Sequence, residues 1–531
     1  MREQKCHIKV KKMTELIAKT FQGLEPLLAQ ELTELGATDI QIGRRMVTFS
    51  GDKEMLYRAN FCLRTAIRVL KPIKNFKARS ADDVYEAVKA VDWSQYLTPQ
   101  TTFAVDSVVF SNEFRHSKFV AYKVKDAIAD QFRERTGTRP NVSISNPDIR
   151  LHIHIAEYDA TLALDSSGES LHRRCYRQES VAAPLNEVLA AGIIMMSGWH
   201  GECDLLDPFC GSGTFCIEAA LIARGIAPGV FRQGYAFEKW PDFDRELFER
   251  IYNDDSGERE FEHHIYGRDI DPKAVGIARR NVKAAGLTKD ITIDIADFKE
   301  TPLLPVPAAE ETEVEQAQAL PIIITNPPYG ERISTPDILG LYKTIGQRLK
   351  REFAGGEAWI LSLHEECFEQ IGLRPSQKTP LYNGSLECEL RKYVMFDGRL
   401  DSHRAAGGEI KTGEDRRHNA SRKPFKQHRD DNDGEATGFG RKRHFGDDRK
   451  SFGGERKSFG GERKRFDRDD RDFGGKGKDH GSRGRDFGKK GKGDRKGFGD
   501  RPRRFEGDDR RARQEARRRF FGGEDPRGDE E

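Results

Sequence analysis

Hydrophobic positions in this chain change rhythm twice. Up to about residue 165, short alternating runs are interleaved with helical ones. In "TELIAKTFQGLEPLLAQELTELGA", Leu24, Leu27, Leu28, Leu32 and Leu35 recur near i, i+3/i+4 spacing and the run stops at Gly36, which predicts a helix. "DIQIGRRMVTFSG" alternates as a hairpin does, and "DKEMLYRANFCLRTAIRVL" returns to a helical period. "TTFAVDSVVFS" predicts a strand, and "SKFVAYKVKDAIADQFRERTG" a helix closed by Gly137. "IRLHIHIAEYDATLALDSSG" predicts two strands with a tight turn near Asp159. This order predicts small α+β units rather than one doubly wound sheet.

From residue 175 to 398 the rhythm becomes strand, helix, strand. "CDLLDPFCG" leads into "TFCIEAALIARG", and "HIYGRDID" into "PKAVGIARRNVKAAG". "ITIDIADF" follows, then "PIIITNPPYG", "ILGLYKTIGQRLKREF" and "EAWILSLH". Apolar strands followed by amphipathic helices predict an α/β domain with a mainly parallel sheet. Two stretches read as insertions: "APGVFRQGYAFEKWPDFDRELFERIYNDDSGEREFEHH" and the acidic "EETEVEQAQ".

Beyond about residue 400 apolar residues other than Phe nearly vanish. Phe445, Phe452, Phe459, Phe466 and Phe473 recur every seven residues. The Gly-Gly pairs between them each cost a helix about 1 kcal/mol per Gly, so the period is not a coiled coil. A segment of Gly, Arg, Lys and Asp buries too little surface to offset chain entropy, which predicts a disordered tail.

Charge follows the same division. The net charge of +3 over 531 residues combines 39 Lys+Arg against 29 Asp+Glu in 401–531 with 51 against 58 in the rest. A mildly acidic body with a basic tail points to a polyanionic partner. The eight cysteines form no CxxC pair and have no close spacing to His, which argues against a disulfide framework or a zinc site. His152 and His154 share a strand face, but no further ligand stands near them in sequence, so no metal is expected. "MREQKCHIKVKKMTELIAKTF" lacks a signal-peptide core, and no apolar run reaches the roughly 18 residues of a spanning helix. A cytoplasmic protein without a membrane segment is expected.

The chemistry gathers at strand ends. "DLLDPFCGSGT" puts Asp207, Pro208 and a Gly-rich turn between a strand and a helix. Gly211 and Gly213 permit a sharp turn and the close approach of a ligand, with Thr214 opening the helix. A tight turn without a ligand would look the same in isolation. The next strand ends "YGRDIDP", where Asp269 can accept from both ribose hydroxyls with Ile270 beside it. Asp271 before Pro272 suits a helix N-cap instead. The third strand ends "ADF": Asp297 could accept from an adenine amino group with Phe298 against the ring, or be a loop aspartate. GxxxxGK[ST] is missing, so a nucleoside with a small charged tail fits this cradle better than a triphosphate. S-adenosylmethionine has that form.

The fourth strand end is "ITNPPYG". The amine of a nucleobase is a poor nucleophile because its lone pair is delocalised into the ring. Two acceptors holding its N–H hydrogens out of plane return the pair to nitrogen. The Asn326 side-chain oxygen and the Pro327 carbonyl can be those acceptors. Pro327 and Pro328 fix φ and aim that carbonyl without a competing N–H. Tyr329 can stack on an extruded base. A rigid proline turn is the plainer reading of the same residues.

"DPFCGSGT", "GRDIDP" and "NPPYGER" resemble class I S-adenosylmethionine-dependent amino-methyltransferases. "SSGESLHRRCYRQESVAAPLNEVLAAGII", "IAPGVFRQGYAFEKW" and "LYNGSLECELRKY" narrow the resemblance to the THUMP-domain RNA guanine-N2 methyltransferases, in particular those of large-subunit ribosomal RNA. It covers about 1–398. It implies a ferredoxin-like unit over 1–65, an RNA-gripping THUMP domain over 66–168 and a Rossmann-like methyltransferase domain over 169–398, with the tail from 399. It also implies that Asp207, Gly211 and Gly213 hold the cofactor loop, Asp269 the ribose, Asp297 the adenine, and Asn326 to Tyr329 the target base. Some members carry a second methyltransferase domain where this chain has its tail.

Arg115, His116, Lys118 and Lys125 in "FRHSKFVAYKVK", and Arg173, Arg174 and Arg177 in "LHRRCYR", are candidate RNA contacts, although a solvated helix would carry the first group equally. Interleaved Phe and Arg/Lys give the tail a weak, nonspecific RNA affinity, or only a solubilising role. The expected function is methylation of a guanine N2 in large-subunit ribosomal RNA. Rivals are a transfer RNA guanine-N2 or an adenine-N6 methyltransferase, and a non-catalytic RNA-binding assembly factor. Nothing in the sequence indicates an oligomeric state.

Overall fold

A computed structural model describes residues 13–181, 184–302, 320–330, 337–384 and 386–396. The acidic insertion and the Phe-Gly-Arg tail lie outside these residues.

The N-terminal half runs β1 (Thr14–Lys19), α1 (Glu25–Glu34), β2 (Thr38–Gly43), β3 (Met46–Gly51), α2 (Lys53–Cys62), β4 (Arg68–Lys77), α3 (Ala81–Lys89), β5 (Thr102–Phe110), α4 (Ser117–Thr136), β6 (Asn141–Val142), β7 (Ile149–Ala156) and β8 (Asp159–Asp165). These strands make one sheet in the order β2-β3-β1-β4-β8-β7-β5-β6. β4 joins its two halves, pairing β1 on one side and β8 on the other. The sheet is therefore continuous from one half to the other through β4.

Local signals explain the ends of these elements. Asp52 caps α2 through Met55 N–H, and Ser80 and Asp83 form a reciprocal capping box on α3. α4 ends at Gly137 in the left-handed region, φ 73°. The helical spacing from Leu24 to Leu35 becomes α1, and the residues before it take another form. "TELIAK" is β1, and the helix begins only at Glu25. Likewise "RVL" belongs to β4, not to a continued helix.

The second half comprises α5 (Glu187–Ser197), β9 (Leu205–Asp207), α6 (Thr214–Ala223), α7 (Arg245–Tyr252), β10 (Ile265–Asp269), α8 (Pro272–Ala285), β11 (Ile291–Ile295), β12 (Ile322–Thr325), α9 (Ile338–Glu352), β13 (Glu357–Ser362), α10 (Glu365–Ile371), β14 (Gln377–Asn383) and β15 (Leu386–Val394). The sheet order is β11-β10-β9-β12-β13-β15-β14. β11 through β13 are parallel, and β14 and β15 close the edge as an antiparallel hairpin. After β9 the chain builds outward through β10 and β11, then returns to the other side of β9 with β12. That reversal opens a crevice at the carboxyl ends of β9 and β12, where open α/β sheets bind ligands.

The first insertion is not a peripheral loop. Its Tyr235, Phe237, Trp240, Phe248, Ile251 and Tyr252 pack into the core of the N-terminal half, with Tyr57 and Phe61. The Tyr57 and Phe237 rings stack at 4.4 Å. The halves are thus joined through a shared aromatic core. Among the described residues no helix is long and apolar enough to cross a membrane, and no group of three or more His, Cys, Asp or Glu could hold a metal.

Candidate active site

β9 ends at Asp207, whose side chain is buried. Its Oδ1 accepts from Thr325 Oγ1 at 2.6 Å and from Phe209 N–H at 3.2 Å. Thr325 is the last residue of β12, immediately before Asn326. One carboxyl therefore ties the start of the Gly-rich turn to the Asn-Pro-Pro-Tyr turn across the crevice. Burial pushes that carboxyl up to about 7, with the two hydrogen bonds pulling the other way.

The Gly-rich turn uses its two glycines differently. Gly213 sits at φ 80° as the N-cap of α6, and a Cβ there would meet Ala278 Cβ of α8 at 3.3 Å. It serves helix packing. Gly211, at φ 54°, is less crowded: a Cβ there would touch only Val181 Cγ2, at 3.8 Å, among the described residues. That is the side a ligand can approach. Thr214 is buried, and its Oγ1 accepts from Arg177 Nη2 at 3.0 Å, so its hydroxyl holds the turn from behind.

β10 delivers Asp269 to the same place. Its Oδ2 accepts from Gly211 N–H and its Oδ1 from Asp271 N–H, both at 2.9 Å. Burial raises this carboxyl, and those N–H groups partly restore it. Asp271 caps α8 through Lys273 N–H at 2.9 Å. Ile270 is 64% exposed, an apolar side chain left uncovered beside the acid. Asp297 follows β11, half-buried, and accepts from Lys299 N–H at 2.8 Å. Phe298 is the residue the sequence puts against the adenine ring. It is buried, 5.0 Å from the Phe209 ring and 5.2 Å from the Arg348 guanidinium, because it closes the core under α9.

β12 presents the opposite wall. Asn326 Oδ1 is buried and has no hydrogen-bond partner among the described residues. Pro327 is buried behind it. Tyr329 is half-buried, and its hydroxyl accepts from Asn383 Nδ2 at 3.2 Å. Asn383 closes β14, so the C-terminal hairpin fixes the aromatic ring of the turn.

The RNA candidates divide. Arg115, His116 and Lys118 are exposed at the start of α4. Lys125 is half-buried, 3.1 Å from Asp126 and over the Tyr122 ring at 5.6 Å. Arg173 is exposed and pairs with Glu169 at 2.5 Å. Two assignments are corrected. Arg174 is 2% exposed and donates to the carbonyls of Leu171 (2.7 Å) and Arg64 (2.5 Å), with Glu218 at 3.6 Å. Arg177 turns inward, to Glu187 Oε1 (3.0 Å), Leu185 O (2.9 Å), Ser212 Oγ (3.4 Å) and Thr214 Oγ1. Buried carboxylates and turn oxygens claim both guanidinium groups, so neither faces RNA.

Sequence reasoning missed three supports: the Asp207–Thr325 bond, Asn383 and Asn281. Asn281 is buried in α8, accepts from Gln178 N–H at 2.8 Å and donates to Ser212 O at 3.1 Å. A polar residue within the stripe Ala274, Ala278, Val282, Ala285 was its visible signal.

The turn at Gly211, the acid at Asp269 and the amide at Asn326 converge on one crevice through Asp207. The open approach at Gly211, the uncovered Ile270 and the orphaned Asn326 oxygen fit S-adenosylmethionine lying between the first two and a substrate against the third. Fold and crevice together place the chain among class I S-adenosylmethionine-dependent methyltransferases.

Comparison with known proteins agrees. Residues 174–392 match the family described as "RMKL-like, methyltransferase domain", residues 78–165 the THUMP domain and residues 15–70 the RlmL ferredoxin-like domain. The chain belongs to the THUMP-containing RMKL-like RNA methyltransferases. A Synechocystis sp. protein named "Putative RNA methyltransferase" is 39% identical over 71% of this chain and 96% of its own length. "Ribosomal RNA large subunit methyltransferase K/L" of Syntrophotalea carbinolica is 39% identical over 78% of this chain, which spans 58% of that relative. The corresponding Marinomonas sp. protein is spanned over 52%. A solved structure described as "a putative methyltransferase complexed with SAH" is 30% identical and matches 73% of this chain and all of its own with a TM-score of 0.63.

Proposed function

We propose that the chain methylates the exocyclic N2 amino group of a guanine in large-subunit ribosomal RNA. The observation that carries this reading is the Asn326 Oδ1 atom, buried and without a donor among the described residues. Leaving such an acceptor unpaired costs about 1–3 kcal/mol, a penalty that a substrate N–H relieves. The K/L relatives support ribosomal RNA as the substrate, at 36–39% identity.

When bound, S-adenosylmethionine supplies a methyl group on a sulfonium, a good leaving group. The protein's task is alignment. Asn326 Oδ1 and the Pro327 carbonyl accept the two amine hydrogens and turn the nitrogen lone pair toward the cofactor side. Tyr329, steadied by Asn383, stacks on the extruded base. Asp207 keeps the two turns in register. Holding reactants in such order contributes roughly 7–11 kcal/mol in well-oriented systems. The surplus amine proton departs to solvent, so no general base is needed.

The test is transfer of labelled methyl to total RNA from cells lacking the gene, followed by nucleoside mass spectrometry. Label recovered as N2-methylguanosine in large-subunit RNA is expected. Label in transfer RNA, or as N6-methyladenosine, overturns the substrate assignment. RNA binding without transfer, unchanged by Asn326→Ala, overturns the enzymatic one.

A further inference from the structure

One polar side chain at the carboxyl edge of the second sheet lies outside the cofactor cradle. β13 pairs antiparallel with β15, and β15 antiparallel with β14, so β14 runs the same way as β9 and β12. Its last residue, Asn383, therefore lies at the same edge as Asp207 and Thr325. Register sets how far it overhangs. Glu389 stands opposite both Ser362, the end of β13, and Pro380 of β14. Asn383 is three residues beyond that level, about 10 Å at the rise of a strand. Thr325 stands opposite Ile360, two residues short of the same level, so Tyr329 follows two residues past it. The two overhanging side chains meet: Asn383 Nδ2 donates to the Tyr329 hydroxyl at 3.2 Å.

That bond uses a fraction of what the amide offers. A side-chain amide has two N–H donors and an oxygen with two lone pairs. The tyrosine takes one N–H. Among the described residues the second N–H and Oδ1 have no hydrogen-bond partner, and the side chain is half-buried at the mouth of the crevice. The bond to Tyr329 also orients the group, because it ties the nitrogen to the ring that the target base would stack on. A donor and an acceptor are thus held side by side at the hydroxyl end of that ring.

The pairing pattern of the bases says what such a group can read. Along the Watson–Crick edge of guanine the N2 amine is followed by N1–H, a donor, and O6, an acceptor. An amide presents the complementary pair, oxygen to the donor and nitrogen to the acceptor. Adenine held by its N6 amine presents N1 next, a bare lone pair, and then a C–H. There Oδ1 would face a second acceptor and Nδ2 would find none. Amide-to-base pairs of this two-bond kind are a general means of telling bases apart.

We propose that Asn383 selects the target base: Oδ1 accepts from guanine N1–H and the second Nδ2 hydrogen reaches O6, while the first stays on Tyr329. The proposal rests on Asn326 to Tyr329 being the target-base turn, and it names what separates guanine from adenine there. The test uses the full chain and large-subunit RNA assembled by ligation, with guanine, 2-aminopurine or 2,6-diaminopurine at the position that methyl transfer labels. All three keep the 2-amino group. 2-Aminopurine lacks both N1–H and O6, and 2,6-diaminopurine puts a donor where O6 accepts. Wild-type kcat/KM should favour guanine over 2-aminopurine by about 10- to 100-fold, the discrimination of a bidentate pair. Asn383→Ala should slow both by a common factor, through the loosened tyrosine, and bring their ratio to within about threefold of unity. Asn383→Asp exchanges the donor for an acceptor and should raise 2,6-diaminopurine relative to guanine by about tenfold over wild type. Titration with S-adenosylhomocysteine checks that each variant is folded. An unchanged guanine-to-2-aminopurine ratio in both variants would overturn the assignment and leave Asn383 as a brace for the ring. Equal wild-type rates on guanine and 2-aminopurine would overturn it as well, with the target-base turn intact. Transfer to none of the three would remove the reading of that turn and this proposal with it.

Discussion

At the scale of single residues, Asn326 and Asp207 separate stability from function. Asn326 Oδ1 is a buried acceptor with no partner among the described residues. Removing such an atom relieves a desolvation penalty, so Asn326→Ala should melt at or above the wild-type temperature. The same change should lower kcat by about a hundredfold or more, the scale seen when one preorganised hydrogen-bonding group is lost. Thermal melts and single-turnover transfer on the same preparation check both halves. Asp207 predicts a pH effect. Its folded-state carboxyl lies near 7, well above an unfolded aspartate. The folded chain therefore holds a proton that the unfolded chain releases between about pH 4 and 7. Stability from this group is fully present below that window and falls as pH rises through it. Asp207→Asn keeps an acceptor for Thr325 and cannot ionise, so its melting temperature should vary less than wild type from pH 5 to 8. Parallel melting curves for the two proteins across that range would disprove the assignment.

At the scale of elements, loops hold the chemistry and neighbouring segments hold the loops. The linker before α5 sends Arg177 to Ser212 and Thr214, and α8 sends Asn281 to Ser212 O. Arg177→Met should raise the Kd for S-adenosylhomocysteine roughly tenfold, the price of about 1.4 kcal/mol, while oligouridylate binding holds. Calorimetry with each ligand distinguishes this from unfolding. Asn383→Ala should act elsewhere, raising KM for RNA and sparing S-adenosylhomocysteine binding, because it removes the amide donor that steadies the Tyr329 ring. These supports mark the limit of what the sequence shows. The strand-end residues Asp207, Asp269 and Asn326 are legible because periodicity locates strand ends and few residue types suit them. Arg174 and Arg177 are misleading, because a run of basic residues looks identical whether it faces water or a buried carboxylate. β1 was hidden because "TELIAK" is too short to show its alternation against the Leu-rich helix that follows. The aromatic insertion could be seen as an interruption, but no local pattern reveals that it completes a core more than 170 residues upstream, around Tyr57.

At the scale of the molecule, a line of buried charge runs beside the aromatic core between the N-terminal half and the methyltransferase half. Glu31 on α1 accepts from the N–H groups of Arg64 and Thr65 at 2.7 and 3.0 Å. Arg64 crosses to the carbonyls of Leu221 in α6 and Ile226 just beyond it, at 3.2 and 2.8 Å. Arg174 binds Arg64 O and faces Glu218 of α6, which also accepts from Tyr176 at 2.9 Å. Such a network is weak evidence for net stability, since an apolar replacement of the whole group is often neutral. Removing one member is different, because it strands the others. Arg174→Met should cost about 3–5 kcal/mol by leaving the fully buried Glu218 with less compensating charge. Adding Glu218→Gln should recover part of the loss, a coupling that independent sites would not display. Urea denaturation of the two single variants, the double variant and wild type measures it. Strict additivity would mean that Arg174 and Glu218 stabilise their surroundings separately and that the halves are held by the aromatic core alone. Substantial recovery in the double variant would show that Arg174 and Glu218 act as one unit, with Arg174 carrying its hydrogen bond to Arg64 O across the junction.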